Sequence, residues 1–170
     1  PEFKKHDRGA MITTMDRDQK HVAFFPEGVR TSGDRVLQFS SGLIPVFFGA
    51  AGVDENGNEI TLQEEDPVLQ PIALIVRSID GKDVNRADYA QMAPYTMLFS
   101  EGIKGIWRRL QVKDMQVEAR VLAPMSAKDF AERQGFTDRS KISEEMREKL
   151  GRDFMNAAQS KIQAIVAPHQ

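Results

Sequence analysis

The chain has 170 residues, of which 41% are apolar and 28% are charged, a balance typical of one globular domain. Its 23 Lys and Arg against 25 Asp and Glu give a net charge of −2, which excludes a general electrostatic nucleic-acid binder. The absence of cysteine excludes disulfides, thiol nucleophiles and cysteine metal sites, and three scattered histidines do not predict a metal centre.

The beginning of the chain is not typical of a natural start. Pro1–Phe3 lacks an initiator Met and resembles a cloning remnant, so we set it aside and expect a fragment of a longer protein. The longest apolar stretch, residues 43–51, is about half the length of a membrane span. We therefore expect neither a transmembrane helix nor a signal peptide in this chain, and a cytoplasmic location.

The first half of the chain predicts helix, strand, helix and loop in turn. Residues 9–18 predict a short helix, and the apolar run 22–25, which ends at a proline, predicts a buried strand. Residues 43–51 predict a helix with a proline in its first turn. Residues 52–66 contain six acidic residues and no base, which predicts a solvated loop.

The second half of the chain predicts two strands and two helices. Residues 68–76 and 112–123 predict strands, the second through apolar residues at every other position. Residues 97–110 have apolar side chains at helical spacing, and residues 142–165 repeat this pattern over a long terminal helix. Strands interleaved with helices predict an α/β fold, with a partial mixed sheet flanked by helices.

Two interpretations remain open for residues 97–110. The bases around Trp107 fit a basic amphipathic helix that lies on an anionic membrane surface. They equally fit an ordinary helix that packs its apolar face on the sheet and leaves its bases in solvent.

The most informative segment is residues 24–42, Phe-Phe-Pro-Glu-Gly-Val-Arg-Thr-Ser-Gly-Asp-Arg-Val-Leu-Gln-Phe-Ser-Ser-Gly. A loop that follows a strand lies at the sheet edge where open α/β folds bind ligands. Gly28 lets the backbone approach a ligand, and Arg30 offers a bidentate fork that suits phosphate. Glu27 can orient Arg30 or bind a substrate hydroxyl. A surface turn with an Arg–Glu ion pair explains the same residues without a ligand.

This segment resembles the third sequence block of the glycerolipid, or lysophosphatidate-type, acyltransferases. That block reads Phe-Pro-Glu-Gly-Thr-Arg-Ser, followed by a Gly-containing turn, a Phe and a Gly. Residues 68–74, Val-Leu-Gln-Pro-Ile-Ala-Leu, resemble the next block, an apolar strand around a proline. Residues 33–41 and 138–141 favour the bacterial branch that acylates lyso-ornithine lipids and related lysolipids. The resemblance covers about residues 9–150 and implies that Glu27, Gly28 and Arg30 bind the acceptor.

The resemblance also implies a domain organisation and an activity. Residues 4–136 would be the C-terminal part of an acyltransferase-like α/β domain, and residues 137–170 a helical segment. The whole enzyme would transfer a fatty acyl group from acyl carrier protein or acyl-CoA to a lysolipid hydroxyl in membrane lipid synthesis. It would be peripheral to, or anchored on, the cytoplasmic face of the inner membrane. No cofactor, metal or nucleic-acid partner is implied.

Two departures from the family pattern matter. Val29 stands where the family usually has Thr, which removes a hydroxyl from the acceptor loop. The catalytic block, a His and an Asp separated by four residues, is absent: neither His6 nor His21 has an Asp at that spacing, and His169 is too near the end. The resemblance therefore implies no catalytic residue in this chain and no activity of the chain alone. The alternative is a non-catalytic interaction module that retains the fold.

A fragment of a larger sheet would leave a strand edge and apolar surface uncovered. Phe24, Phe25, Phe47 and Phe48 are candidates for that surface. Because exposed edges and patches are relieved by pairing with another copy, we expect a two-fold homodimer, with the helix over residues 140–166 exchanged or packed across the interface.

Overall fold

The computed structural model describes residues 2–27, 36–84 and 113–166. The chain divides into two compact units, which are considered one at a time. The first unit consists of Pro1–Pro26, Phe39–Leu69 and Pro124–Ala158, and the second consists of Glu27–Gln38, Gln70–Ala123 and Gln159–Gln170.

The first unit begins with a helix. α1 spans Glu2–Ile12 and continues into a π-helical segment, Thr13–Arg17. The helix predicted over residues 9–18 is therefore present, but it starts at Glu2. Glu2 and Phe3, which we set aside as a cloning remnant, are helical and lie in its first turn.

The strand predicted over residues 22–25 is wrong. In the part of the chain that the structure describes, these residues pair with no strand. Phe25 is 84% exposed, and the proline that follows it has no N–H to donate to a ladder. Residues 22–25 therefore form a segment that pairs with no described strand. A strand requires a partner strand, which the local sequence does not reveal.

The acidic stretch after residue 51 contains a small hairpin where a solvated loop was expected. β1, Gly52–Val53, pairs antiparallel with β2, Glu59–Ile60. The turn between them is closed by Asp54, whose carboxylate accepts the backbone N–H groups of Asn56 at 2.9 Å and Asn58 at 2.7 Å. These bonds lower the pKa of Asp54, because they stabilise its charged form.

α1 lies directly against this hairpin. A Cβ at Gly9 would be 1.9 Å from the carbonyl oxygen of Val53, and a Cβ at Gly52 would be 2.3 Å from the amide nitrogen of Gly9. Backbone therefore touches backbone at this contact, which only glycine permits.

The core of the first unit is built around a short 3₁₀ helix, Ile44–Phe48, whose five residues are all buried. It takes the place of the longer helix predicted over residues 43–51, and it ends at Gly49, whose φ of 92° only glycine adopts readily. Phe47 and Phe48 are 5% and 1% exposed, so the expectation that they form uncovered surface is wrong.

Two helices complete this core. α2, Ala127–Arg133, is capped by Ser126, whose side-chain oxygen accepts the N–H of Asp129 at 2.9 Å. The predicted terminal helix is confirmed as α3, Glu144–Val166. The rings of Phe48 and Phe154 meet edge to face with their centres 5.7 Å apart, and Phe130 lies 5.0 Å from Phe154. The first unit also holds a two-stranded antiparallel sheet, β3 (Val68–Leu69) with β7 (Met125–Ser126).

The second unit contains a three-stranded antiparallel sheet. Its strands are β4 (Ile72–Ile79), β5 (Lys82–Asp83) and β6 (Met115–Val121), in the order β5-β4-β6. The strand predicted over residues 68–76 is interrupted at Pro71 and divided between β3 and β4, and the strand predicted over residues 112–123 is confirmed as β6. The combination of helices and strands is confirmed, and every pairing described is antiparallel.

The two faces of this sheet differ in chemistry. One face places Ile72 opposite Val121 and Val76 opposite Val117. On the other face, Glu118 binds Arg77 and Arg120. These two guanidinium groups lower the pKa of Glu118, Arg120 through the larger effect. The alternating apolar residues of β6 line an exposed face and not a buried one, with Val117 46% and Val121 67% exposed.

The helix predicted over residues 97–110, with its basic residues around Trp107, lies outside the described residues. Among the helices that the structure does describe, none has both the length and the apolar character that crossing a bilayer requires.

Candidate functional site

The predicted acceptor-binding residues lie in a segment that the structure describes in part. Glu27 is half-buried and follows Pro26 in a turn. Gly28 and Arg30 lie outside the described residues, and the description resumes at Val36. The site can therefore be built from Glu27 and from the two ends of the loop.

The two ends of this loop are joined by a hydrogen bond. The amide nitrogen of Ser40 donates to the carbonyl oxygen of Pro26 at 2.7 Å. Pro26 and Ser40, which flank residues 27–39, are therefore held together. Phe39, the last residue of the loop, is 8% exposed and fixes this end in the core. Ends that are joined in this way are common in binding loops.

A buried arginine anchors the residues that follow the loop. The Nε of Arg8 donates to the carbonyl oxygen of Gly42 at 2.8 Å, and its Nη2 donates to the carboxylate of Glu148 at 2.5 Å. Glu144 lies on the same side, 3.8 Å from Nη1. Because the Arg8 side chain is 4% exposed, these acceptors are what make burial of its charge tolerable. Arg8 therefore ties α1, α3 and the backbone at Gly42 together.

Sequence reasoning did not identify Arg8, although a signal was present. Arg8 precedes Met11 and Ile12 by three and four residues, which places it on the apolar face of its helix. A cation on an apolar face is an indication of a buried ion pair. Its partners lie 34 and 140 residues away, and no local pattern reveals them.

The residues at 138–141 form a capped turn. Asp138 accepts the amide N–H of Ser140 at 3.0 Å and its hydroxyl at 2.6 Å, and it pairs with the Lys141 ammonium at 2.9 Å. The hydrogen bonds from Ser140 and Lys141 lower the pKa of Asp138 to about 2, and the same carboxylate raises the pKa of Lys141. The cap initiates the 3₁₀ turn Arg139–Lys141.

Arg139, inside this turn, reaches back to the 3₁₀ helix of the core. Its two terminal nitrogens donate to the carbonyl oxygens of Glu64 and Val46, both at 2.7 Å. Burial lowers the pKa of Arg139, and the neighbouring Arg147 lowers it further. Arg139 also lines a cavity of about 240 Å³ with phenylalanine walls, Phe47 and Phe136 among them. Its terminal nitrogens already donate to two backbone carbonyls, so the geometry supports a structural role.

A groove of about 650 Å³ lies between α1 and the β1–β2 hairpin. It contains His6, Asp16 and Asp54, which are the residue types of acid–base chemistry. The carboxylate of Asp16 accepts the amide N–H of Gln63 at 2.8 Å, and that of Asp54 closes the hairpin turn. Both carboxylates therefore accept hydrogen bonds from backbone N–H groups. Across residues 2–27, 36–84 and 113–166, no three His, Cys, Asp or Glu side chains are grouped as a metal site would require.

Comparison of this chain with models of protein families, with curated proteins and with solved structures finds no match. The candidate site is therefore defined by the residues themselves. The segment between Pro26 and Ser40 contains the sequence pattern. Its two flanking residues are joined by a hydrogen bond, and Arg8 binds the carbonyl oxygen of Gly42 just after it.

Proposed function

We propose that this chain is part of a lysolipid O-acyltransferase and that the loop after Pro26 binds the acceptor. The observation that supports this proposal is the segment Phe-Pro-Glu-Gly-Val-Arg, which lies between two residues, Pro26 and Ser40, that are joined by a hydrogen bond. The joined ends support this proposal, because a binding loop has to present its residues in one arrangement.

The residue types of the loop fit an anionic lipid head group. The guanidinium of Arg30 would bind a phosphate or carboxylate oxygen pair through two parallel hydrogen bonds. Gly28 would let the backbone approach the ligand closely, and Glu27 would orient Arg30 or accept a hydrogen bond from the acceptor hydroxyl. The same hydroxyl would then lie beside the thioester.

In the proposed reaction, the hydroxyl oxygen of the lysolipid attacks the thioester carbonyl of acyl-CoA or acyl carrier protein. The C–S bond breaks, an ester forms, and the thiol leaves with a proton. The general base that takes the hydroxyl proton would be the His of a His-x-x-x-x-Asp block upstream of Lys4 in the longer protein, since no histidine of this chain has that spacing. Such an enzyme would work at the cytoplasmic face of the membrane.

The assay that tests this proposal follows acyl transfer from acyl-CoA to a lysolipid in two proteins. This chain alone should show no turnover, because removal of a positioned base costs roughly 10²–10⁴-fold. The longer protein should be active, and its Arg30→Ala variant should raise the KM for the acceptor by roughly tenfold or more, because a charge-assisted hydrogen bond is lost. Arg152→Ala, at an exposed position of α3, is the matched control.

Three outcomes would count against the proposal. Turnover by this chain alone would mean that the base has been misidentified. An unchanged KM and kcat in Arg30→Ala would remove the head-group role of the loop. A longer protein that binds the lysolipid but never transfers an acyl group would favour the non-catalytic module.

A further inference from the structure

β6 stands at one end of the described strand order β5-β4-β6, with β4 on one of its sides. At one end of the strand Leu122 donates its N–H to the carbonyl oxygen of Pro71 at 3.0 Å, and at the other Asp114 accepts the N–H of Asp80 at 2.9 Å. Both contacts lie on the β4 side. Because backbone groups alternate between the two sides of an antiparallel strand, the even-numbered residues of β6 point toward β4.

The odd-numbered residues therefore point their N–H and C=O groups outward. These residues are Met115, Val117, Ala119 and Val121, and all four are exposed. No strand in the described part of the chain pairs with this edge. Sheets usually protect such an edge with a proline, a bulge or an inward charge. The bulge of this sheet lies in β4, between Val76 and Ser78, and the inward charges of β6 are Glu118 and Arg120, which a partner strand would have to match. A regular seven-residue edge of this kind is a template for another strand.

We propose that a second copy of this chain pairs along this edge, β6 against β6, antiparallel about a two-fold axis at Ala119. The two three-stranded sheets would become one sheet of six strands. This inference concerns a surface separate from the acceptor loop and does not depend on the proposed function.

The hydrogen-bonding pattern fits this register. With the axis at Ala119, the outward groups of Ala119 lie opposite those of the same residue in the second copy. Val117 of each copy lies opposite Val121 of the other. All three residues then form hydrogen-bonded pairs, and on the apolar face each valine contacts a valine across the junction.

The charge pattern selects the same register. With the axis at Ala119, Glu118 of each copy lies opposite Arg120 of the other, in a non-hydrogen-bonded pair, where side chains are closest. An axis at Glu118 would place two glutamates opposite each other, and an axis at Arg120 would place two arginines opposite each other. Like charges directly opposite destabilise a strand pair. An axis at Val117 would pair Glu118 with Gln116 and would place Arg120 opposite Asp114, which precedes the strand, so no two strand residues would form an ion pair.

Sedimentation velocity over a concentration series tests the proposal. The chain should form a dimer at micromolar concentration. Glu118→Arg should raise the dissociation constant about tenfold or more, because two attractive cross-strand pairs become repulsive. The double variant Glu118→Arg with Arg120→Glu should recover dimerisation, since it restores opposite charges across the junction. Glu59→Arg, an exposed charge reversal on β2, should change nothing.

Cross-linking tests the register without changing a charge. The chain has no cysteine, so a single thiol is unambiguous. In the proposed dimer, residue 119 lies opposite itself at about 5.5 Å between Cα atoms, whereas residue 117 is roughly 13 Å from its own copy. A short bis-maleimide should therefore cross-link Ala119→Cys more readily than Val117→Cys. A monomer at every concentration, a dimer indifferent to Glu118→Arg, or preferential cross-linking of Val117→Cys would overturn the proposal.

Discussion

Arg8 makes the contacts that hold the backbone at Gly42, just after the candidate loop, in place. Its guanidinium bonds the carbonyl oxygen of Gly42 and the carboxylate of Glu148, and α1 and α3 meet at this side chain. Loss of Arg8 would leave the carbonyl of Gly42 without this donor. The position of Gly42 thus depends on a residue far from it in sequence.

We expect Arg8→Met to lower the free energy of unfolding by about 2 kcal/mol. One charge-assisted hydrogen bond contributes roughly 1.5–3 kcal/mol, and the second is discounted because Glu148 is one-third exposed. Urea unfolding measures this change. Lys5→Met, at an exposed position of the same helix, is the control. A difference of less than about 0.5 kcal/mol between the two variants would show that Arg8 is not an anchor.

Asp138 makes stability depend on pH in the acid range. Its pKa is about 2 in the folded chain against an ordinary value of 3.8, so its charged form is favoured by folding. The stabilisation is complete above about pH 4 and is lost as the pH falls toward 2. Asp138→Asn should remove this part of the acid destabilisation. Thermal melting between pH 2 and pH 6 tests it, with Asp7→Asn as the exposed control. Parallel curves for Asp138→Asn and the unaltered chain would contradict the assignment.

Among the elements that the structure describes, α1 and the β1–β2 hairpin approach each other closely. Glycine lies on both sides of this contact, at residues 9 and 52. The helix is therefore held at a distance that no side chain at position 9 permits.

Gly9→Ala should destabilise the chain even though alanine is the better helix former. Helix propensity would contribute about 1 kcal/mol in favour of alanine. The added Cβ would lie 1.9 Å from the Val53 oxygen, and overpacking of backbone costs roughly 1–3 kcal/mol or more. We expect a net loss and a lower Tm, measured by thermal unfolding. Ala10→Gly, at the exposed neighbouring position, isolates the propensity effect, and a gain in Tm for Gly9→Ala would refute the close contact.

The elements that were predicted correctly are those in which a regular spacing of apolar residues continues over many consecutive residues. The spacing of three and four residues over residues 142–165 predicts α3, and alternation predicts β6. α2 has only seven residues, too few for a periodic signal, although Ser126 and Asp129 form its cap. The segment at residues 22–25 has the composition of a strand and lacks a partner, because pairing depends on distant residues.

For the whole molecule, the sequence indicates the segment proposed to bind the acceptor, and the structure describes the residues on either side of it. Glu27 and the residue types around it were identified from a pattern, whereas the Ser40–Pro26 bond and the Arg8 anchor required the fold. The sheet of the second unit presents an exposed edge, where a second copy is proposed to pair. The proposed dimer would use β6, whereas the dimer expected from the sequence would use the 140–166 helix at its interface.

The central claim is that the loop after Pro26 binds the anionic head group of a lysolipid. The most direct measurement is a calorimetric titration of this chain with a short-chain lysophosphatidate below its micelle concentration. We predict saturable binding that Arg30→Gln weakens by about tenfold or more and that Arg152→Gln leaves unchanged. Equal affinity of Arg30→Gln and the unaltered chain, or no binding by either, would contradict the account.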